Sequence, residues 1–85
     1  MTRRIEYSGE ARRTLRKMDR ATAARIIGKV EQLASAPSTL ANNVRSLRGA
    51  EGQFRLRVGD WRVIYTETLV ILSVVRVAPR SSAYD

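Results

Sequence analysis

The sequence predicts a single α+β domain in which an N-terminal strand and an αα-hairpin pack on a small antiparallel sheet. Three observations support this fold class. The chain has 85 residues, which is enough for one domain but not for two. Apolar residues recur with helical period up to about residue 36, and strand-like alternation begins after Gly52. We therefore expect one domain over residues 1–85, with a sheet of three or four strands.

The N-terminal part of the chain predicts one strand and two helices. Residues 3–7 alternate in polarity and indicate a short strand with its apolar side chains inward. Ser8 and Asp19 stand where the N-caps of two successive helices should lie. Pro37 ends the second helix, because the residue before a proline disfavours helical geometry.

The rest of the chain predicts a loop and three strands. Residues 37–44 are polar and turn-forming, and we expect a loop there. Gln53–Val58 and Trp61–Thr66 alternate as strands, and Gly59 at the first position of the two-residue loop between them indicates a type II′ hairpin. Leu69–Val77 is almost entirely β-branched or leucine, as in a strand that is buried on both faces.

The two-residue loop also predicts the register of the hairpin. Val58 and Trp61 become direct neighbours, so Arg57 lies opposite Arg62, and directly opposed residues share a face. The apolar residues then collect on the face toward the helices, while Arg55 joins the arginine pair on the other face. Like charges in direct opposition destabilise a sheet, which favours a polyanion site. A solvated outer face, screened by salt, is the alternative.

Composition narrows the range of functions. The chain has 16 basic and 8 acidic residues, a net charge of +8, and all the basic residues except Lys17 and Lys29 are arginine. Such a domain attracts polyanions, and arginine matches a phosphate through its planar fork. The absence of cysteine and histidine excludes disulfides, thiolate nucleophiles and the usual proton carrier. We expect no metal and no cofactor. Because no apolar run could span a bilayer, we expect a cytoplasmic protein without membrane contact.

Two more groups of residues are candidates for nucleic-acid binding. Pro79 cannot extend a central ladder, so Arg80 follows at the strand exit, and Tyr84 adds an aromatic ring that could stack on a base. The first helix carries a basic side that could contact ribosomal RNA backbone, although a solvated helix face is the alternative. Its members are Arg12, Arg13, Arg16, Lys17 and Arg20.

Three stretches of the sequence resemble the RelE side of the RelE/ParE toxin superfamily. They are Leu47-Arg48-Gly49, the hairpin Phe54–Tyr65, and Val75–Arg80 with the following Tyr84. The resemblance covers essentially the whole chain and implies a RelE-like microbial ribonuclease fold. It further implies a toxin of a type II toxin–antitoxin system that cleaves messenger RNA on the ribosome. A cognate acidic antitoxin would bind it in a hetero-oligomer.

The resemblance also implies roles for individual residues. Arg55 and Arg57 match strand positions that hold an active-site lysine or arginine. Arg62 matches a phosphate-binding arginine, Arg80 a second arginine near the scissile phosphate, and Tyr84 the terminal tyrosine of the site. The implied catalytic set is Arg57, Arg62, Arg80 and Tyr84, with Arg55, Arg57, Arg62 and Arg80 binding phosphate.

Two other functions stay open at this point. A ParE-like inhibitor of DNA gyrase would share the fold and act by binding another enzyme. A non-catalytic module that binds RNA or the ribosome would use the same arginine face without a general base, since arginine is effectively always protonated.

Overall fold

The computed structural model describes residues 2–49 and 51–81. Its elements in chain order are β1 (Arg4–Tyr7), α1 (Gly9–Lys17), α2 (Arg20–Ser35), a 3₁₀ segment (Pro37–Asn43), β2 (Val44–Ser46), β3 (Phe54–Val58), β4 (Trp61–Glu67) and β5 (Ile71–Pro79). The α+β class is confirmed, with the strand and the helical pair preceding the rest of the sheet. In this part of the chain no helix is both long and apolar enough to cross a membrane.

The sheet is larger and more varied than the sequence predicted. Its five strands lie in the order β1-β5-β4-β3-β2. β1 pairs with β5 in parallel, and the other three pairings are antiparallel, so the sheet is mixed rather than wholly antiparallel. The loop predicted over residues 37–44 is wrong in part, because it forms a 3₁₀ turn and its last residue opens β2. β2 has three residues and pairs with β3 across the segment 47–53, so no local signal in the sequence indicated it.

The two predicted N-caps are confirmed. The Ser8 hydroxyl accepts a hydrogen bond from the N–H of Ala11 at 3.0 Å, and an Asp19 carboxylate oxygen accepts one from the N–H of Thr22 at 3.1 Å. Each bond satisfies one of the backbone donors that a helix N-terminus leaves without an intrahelical partner. The helices therefore begin where the sequence placed them, and Pro37 follows the end of α2.

The hairpin register is confirmed at every pair from Val58–Trp61 to Phe54–Tyr65. Gly59 has a φ of 58°, and Asp60 is not among the residues with positive φ. This combination is that of a type II′ turn, in which only the first central residue has positive φ. The predicted two-residue loop thus fixes which side chains face the helices.

The core lies between the helices and one face of the sheet. The aromatic rings of Phe54 and Tyr65 stack there with their centroids 5.5 Å apart, and Trp61 packs against the core as predicted. β5 begins at Ile71 rather than Leu69, because Leu69 and its neighbour are exposed in the turn before it. The opposite face of β3 and β4 carries the arginines.

Candidate nucleic-acid interface

A small cleft on the sheet face opposite the core gathers four arginines. We call it the arginine cleft, and its volume is about 110 Å³. Its lining residues are Asn42, Asn43, Arg45, Arg55, Arg57 and Arg62. Of these six lining residues four are arginines, two are asparagines and none is acidic.

Strand pairing explains how the arginines of the cleft meet. Arg57 and Arg62 are directly opposed across β3 and β4, as the sequence predicted, and Arg55 lies two residues from Arg57 on the same face. Arg45 of β2 is directly opposed to Arg55 and was missed, because β2 was taken for part of a loop. Three neighbouring strands therefore contribute to one site.

The backbone of the hairpin turn holds one of these guanidinium groups in place. Arg62 Nη1 donates to the carbonyl oxygens of Gly59 and Trp61, each at 3.0 Å. A guanidinium that is already oriented loses less conformational freedom when it binds an anion. The turn geometry and the orientation of Arg62 are thus linked.

Arg80 follows β5 and lies beside the turn of the β3–β4 hairpin, but it does not line the cleft. Its backbone N–H donates to the carbonyl oxygen of Asp60 at 2.8 Å, and its side chain is exposed. The predicted position at the strand exit is therefore observed, beside the turn that holds Arg62. Tyr84, the other residue predicted from this end of the chain, lies outside the described residues.

Two ion pairs of the described residues involve arginines that do not line the cleft. Arg3 pairs with Glu67 at 3.8 Å, and Arg76 Nε pairs with a Glu10 carboxylate oxygen at 3.4 Å. Arg76, whose direction the sequence did not predict, lies opposite Ile64 on the arginine-bearing face.

Two tyrosines are poor proton acceptors in this fold. Burial, reinforced by the nearby charge of Glu67, raises the pKa of Tyr65 to about 12. Burial also raises the pKa of Tyr7, and Glu31 adds to the effect. Both rings belong to the core side of the sheet, away from the arginine cleft. Neither supplies the general base that arginine chemistry lacks.

The basic residues of α1 and the first residue of α2 form a separate surface. All five side chains predicted from the sequence are exposed: Arg12, Arg13, Arg16, Lys17 and Arg20. They lie on elements that do not contribute to the arginine cleft. The chain thus presents positive charge in two places.

A larger cavity of about 560 Å³ opens beside the arginine cleft, and we call it the side cavity. It is lined by Glu10, Leu47, Arg48, Gly49, Gln53, Ile64, Val75 and Arg76. The sequence did not predict it, because its walls come from a helix start, a loop and an irregular point in a strand pairing.

Comparison with known proteins places these features in a family. The family described as the ParE toxin of the type II toxin–antitoxin system parDE matches residues 5–84. No curated protein sequence matches the chain significantly.

Solved structures of toxin–antitoxin proteins share the fold. A chain of the archaeal RelE–RelB complex from Pyrococcus horikoshii OT3 is 25% identical, with a TM-score of 0.79 and coverage of 98% of this chain and 100% of that one. A chain of the RelBE2 complex from Mycobacterium tuberculosis is 24% identical, with a TM-score of 0.77 and coverage of 94% of this chain and 100% of that one. A mutant of E. coli RelE in the free state is 17% identical, with a TM-score of 0.77 and coverage of 98% of this chain and 88% of that one. Since the family match spans nearly the whole sequence, the chain belongs to the ParE toxin family of type II toxin–antitoxin systems, within the RelE/ParE superfamily.

Proposed function

We propose that this toxin is a ribosome-dependent endoribonuclease that cleaves messenger RNA and so inhibits translation. The observation that carries the proposal is the arginine cleft, in which three neighbouring strands bring four guanidinium groups together. A volume of about 110 Å³ is well below the roughly 300–1,000 Å³ of small-molecule sites. A cleft of this size suits one phosphate group of a polymer whose other groups stay outside the cleft.

The reaction that fits such a site is attack of an RNA 2′-hydroxyl oxygen on its own adjacent phosphorus. The bond to the 5′ oxygen of the next nucleotide breaks, which leaves a 2′,3′-cyclic phosphate and a 5′-hydroxyl that takes up a proton. This step needs alignment and stabilisation of negative charge more than a nucleophile from the protein. In this proposal Arg55, Arg57 and Arg62 bind the phosphate, and the last two stabilise the charge that develops on its oxygens. Arg80 approaches from the end of the hairpin. Each guanidinium is a fixed cation, because arginine does not deprotonate in proteins.

The proton of the 2′-hydroxyl requires another group. Tyr7 and Tyr65 are excluded by their burial on the core side and their raised pKa values. We assign the proton transfer to Tyr84. The change Tyr84→Phe keeps the ring and removes the hydroxyl, so we expect slower cleavage with RNA binding retained. Cleavage at the wild-type rate in this variant would show that the proton goes to a ribosomal group or to water.

Two single substitutions test the phosphate-binding arginines, one in the cleft and one beside the hairpin turn. We expect Arg62→Ala and Arg80→Ala each to abolish growth arrest on induction, with loss of new transcript 5′ ends. Arg4→Ala is the matched control, because Arg4 is an exposed arginine that pairs with Glu6 at 3.5 Å, and exposed ion pairs contribute little to stability. Growth arrest that persists in both the Arg62→Ala and the Arg80→Ala variants would contradict the proposal, provided all three proteins unfold at similar denaturant concentrations.

We also propose that a cognate acidic antitoxin binds this chain in a hetero-oligomer. The net charge of +8 favours an acidic partner, and two of the structural relatives are toxin–antitoxin complexes. The test is co-expression with the product of the adjacent small gene. We expect one co-eluting complex and restored growth. Separate elution at physiological salt, with growth still arrested, would count against that partner.

Inhibition of DNA gyrase is the second candidate function, because the matching family is described by the ParE toxin. It predicts double-strand DNA breaks soon after induction while messenger RNA stays intact. Intact RNA and intact DNA, with the toxin bound to ribosomes, would instead indicate a non-catalytic ribosome-binding module. Mapping transcript 5′ ends and DNA breaks in the same culture separates the three outcomes.

A further inference from the structure

The side cavity and the arginine cleft adjoin each other on one face of the sheet. Arg55 lines the cleft, Ile64 lines the side cavity, and the two residues are directly opposed across β3 and β4. Side chains in direct opposition stand about 4.5–5.5 Å apart at Cβ. Arg62 lies two residues before Ile64, or roughly 7 Å along the strand. A nucleotide with its phosphate in the cleft therefore has the side cavity within reach of its base.

The side cavity has the size and the surface that a planar ring requires. Its volume of about 560 Å³ falls in the range of about 300–1,000 Å³ that is usual for small-molecule sites. Ile64, which is 2% exposed, and Val75, which is 37% exposed, provide apolar surface. Gln53 adds an amide. Ligand sites commonly combine an apolar lining with a few polar groups that fix orientation.

An extra residue in β5 shapes one wall of the side cavity. The pairing passes from Ile64–Arg76 to Tyr65–Val74, so Val75 is an unpaired bulge. Bulges re-aim side chains and often lie next to functional sites. Ser8 secures this bulge, because its hydroxyl donates to the carbonyl oxygen of Val75 at 2.6 Å.

Close to Ser8 along the chain, a carboxylate lies beside a guanidinium. Glu10 lies two residues after Ser8, in the first turn of α1. Its carboxylate is 3.4 Å from Arg76 Nε, with the two side chains 58% and 29% exposed respectively. The cavity wall thus places a carboxylate and a guanidinium side by side.

We propose that the side cavity binds the guanine base of the RNA nucleotide whose phosphate occupies the arginine cleft, with Glu10 as the acceptor and Arg76 as the donor. This inference rests on the proposed binding of RNA in the cleft. Guanine presents adjacent N–H donors at N1 and N2, which a carboxylate accepts. It also presents acceptors at O6 and N7, the pair to which arginine commonly donates. Uracil has a single ring N–H between two carbonyl oxygens and cannot match this arrangement.

The test is equilibrium binding of guanosine and uridine monophosphates, with the phosphate at the 3′ or the 5′ position, to the full-length toxin. The wild-type protein should bind the guanosine compound about tenfold more tightly at one of these positions. Glu10→Gln should reduce this preference for guanosine over uridine to about threefold or less, because the side-chain amide offers one acceptor oxygen in place of two. Glu6→Gln is the matched control, since Glu6 is a similarly exposed, ion-paired carboxylate outside the cavity.

Three results would overturn the inference: equal affinity for guanosine and uridine in the wild type, full preference retained by Glu10→Gln, or the same loss in Glu6→Gln. An assay of messenger RNA cleavage on ribosomes with the same proteins separates the base-binding inference from the proposed activity. Guanine preference without cleavage would sink the ribonuclease proposal alone. Cleavage without guanine preference would sink the base-binding inference alone.

Discussion

Gly59 is the residue on which the geometry of the arginine cleft depends most directly. Its φ of 58° is in the left-handed region, and its carbonyl oxygen accepts a hydrogen bond from Arg62. A Cβ atom at this position would lie 3.1 Å from Arg25 Nη1 of α2. The turn therefore needs glycine for its backbone angle, whereas the exposed Arg25 side chain would have to shift by only a few tenths of an ångström.

We expect Gly59→Ala to lower the free energy of unfolding by about 1–2 kcal/mol, through the cost of positive φ for a residue with a Cβ. Gly28→Ala is the matched control, because Gly28 is exposed in α2 and a Cβ there meets nothing within 4 Å. That change should stabilise the protein by roughly 0.5–1 kcal/mol through helix propensity. Urea denaturation measures both. If the free energy of unfolding changed in the same direction in both variants, this account of the turn would be refuted.

Tyr65 makes the stability of the fold sensitive to alkaline pH. Its pKa rises from 10.0 to about 12 in the folded chain, because burial and Glu67 disfavour the phenolate. Between these values the unfolded chain has lost the proton and the folded chain keeps it, so stability falls as pH rises. A pKa difference of one corresponds to about 1.4 kcal/mol, and solvent screening reduces the total to about 1–2 kcal/mol from pH 10 to 12.

The change Tyr65→Phe tests this dependence. We expect the variant to lose markedly less stability than the wild type over the same pH interval, when denaturation curves are compared at pH 9 and pH 11.5. Tyr7, whose pKa is also raised, should leave a smaller alkaline loss in both proteins. Parallel pH profiles for the two proteins would show that Tyr65 does not ionise in this window.

At the scale of elements, local sequence signals correctly predicted the features that depend on a short loop or on a bond between nearby residues. The two-residue turn between β3 and β4 permits one register, and that register alone assigned Arg57 and Arg62 to one face and Trp61 to the core. The caps at Ser8 and Asp19 were predictable for the same reason, because each bond closes within three residues. These parts of the fold and of the arginine cleft were accessible from the sequence.

Pairings between strands that lie far apart in the sequence, or that lack a clear sequence signal, could not be predicted. β1 and β5 are joined in parallel across most of the chain, so no turn connects them and no residue pattern specifies their orientation. β2 has three residues and follows a polar segment, so its pairing with β3, and with it Arg45, escaped prediction. The side cavity was missed because it depends on the bulge at Val75, which adds one residue to a strand without changing its apolar composition.

Ser8 joins two elements through one hydroxyl, which accepts from the N–H of Ala11 and donates to the carbonyl oxygen of Val75. We expect Ser8→Ala to destabilise the protein by about 1–2 kcal/mol and to speed hydrogen exchange in residues 74–76. Asp19→Ala is the matched control, since it removes a cap of similar strength from α2 and leaves the bulge bonded. Faster exchange at the bulge in both variants, or in neither, would contradict a specific role for Ser8.

At the scale of the whole molecule, two groups of basic residues place like charges close together at some cost in stability. The arginine cleft places Arg45 opposite Arg55 and Arg57 opposite Arg62, and like charges in these positions destabilise a sheet. On α1, Arg12 and Arg16 are four residues apart, a spacing at which like charges also repel. In the proposed function both surfaces contact RNA, the cleft through one phosphate and the α1 surface through the RNA backbone.

The double change Arg12→Gln and Arg16→Gln tests whether α1 contacts ribosomal RNA backbone. Both side chains are exposed, so we expect the protein to fold and to gain about 0.2–0.5 kcal/mol as the repulsion is removed. Ribosome affinity should fall at low salt, and the slope of log K against log salt should lose about 0.7–0.9 for each phosphate contact removed. Arg12→Lys with Arg16→Lys keeps the charge and should keep most of the slope. An unchanged slope in the glutamine variant would restrict RNA binding to the arginine cleft and leave the α1 surface a solvated helix face.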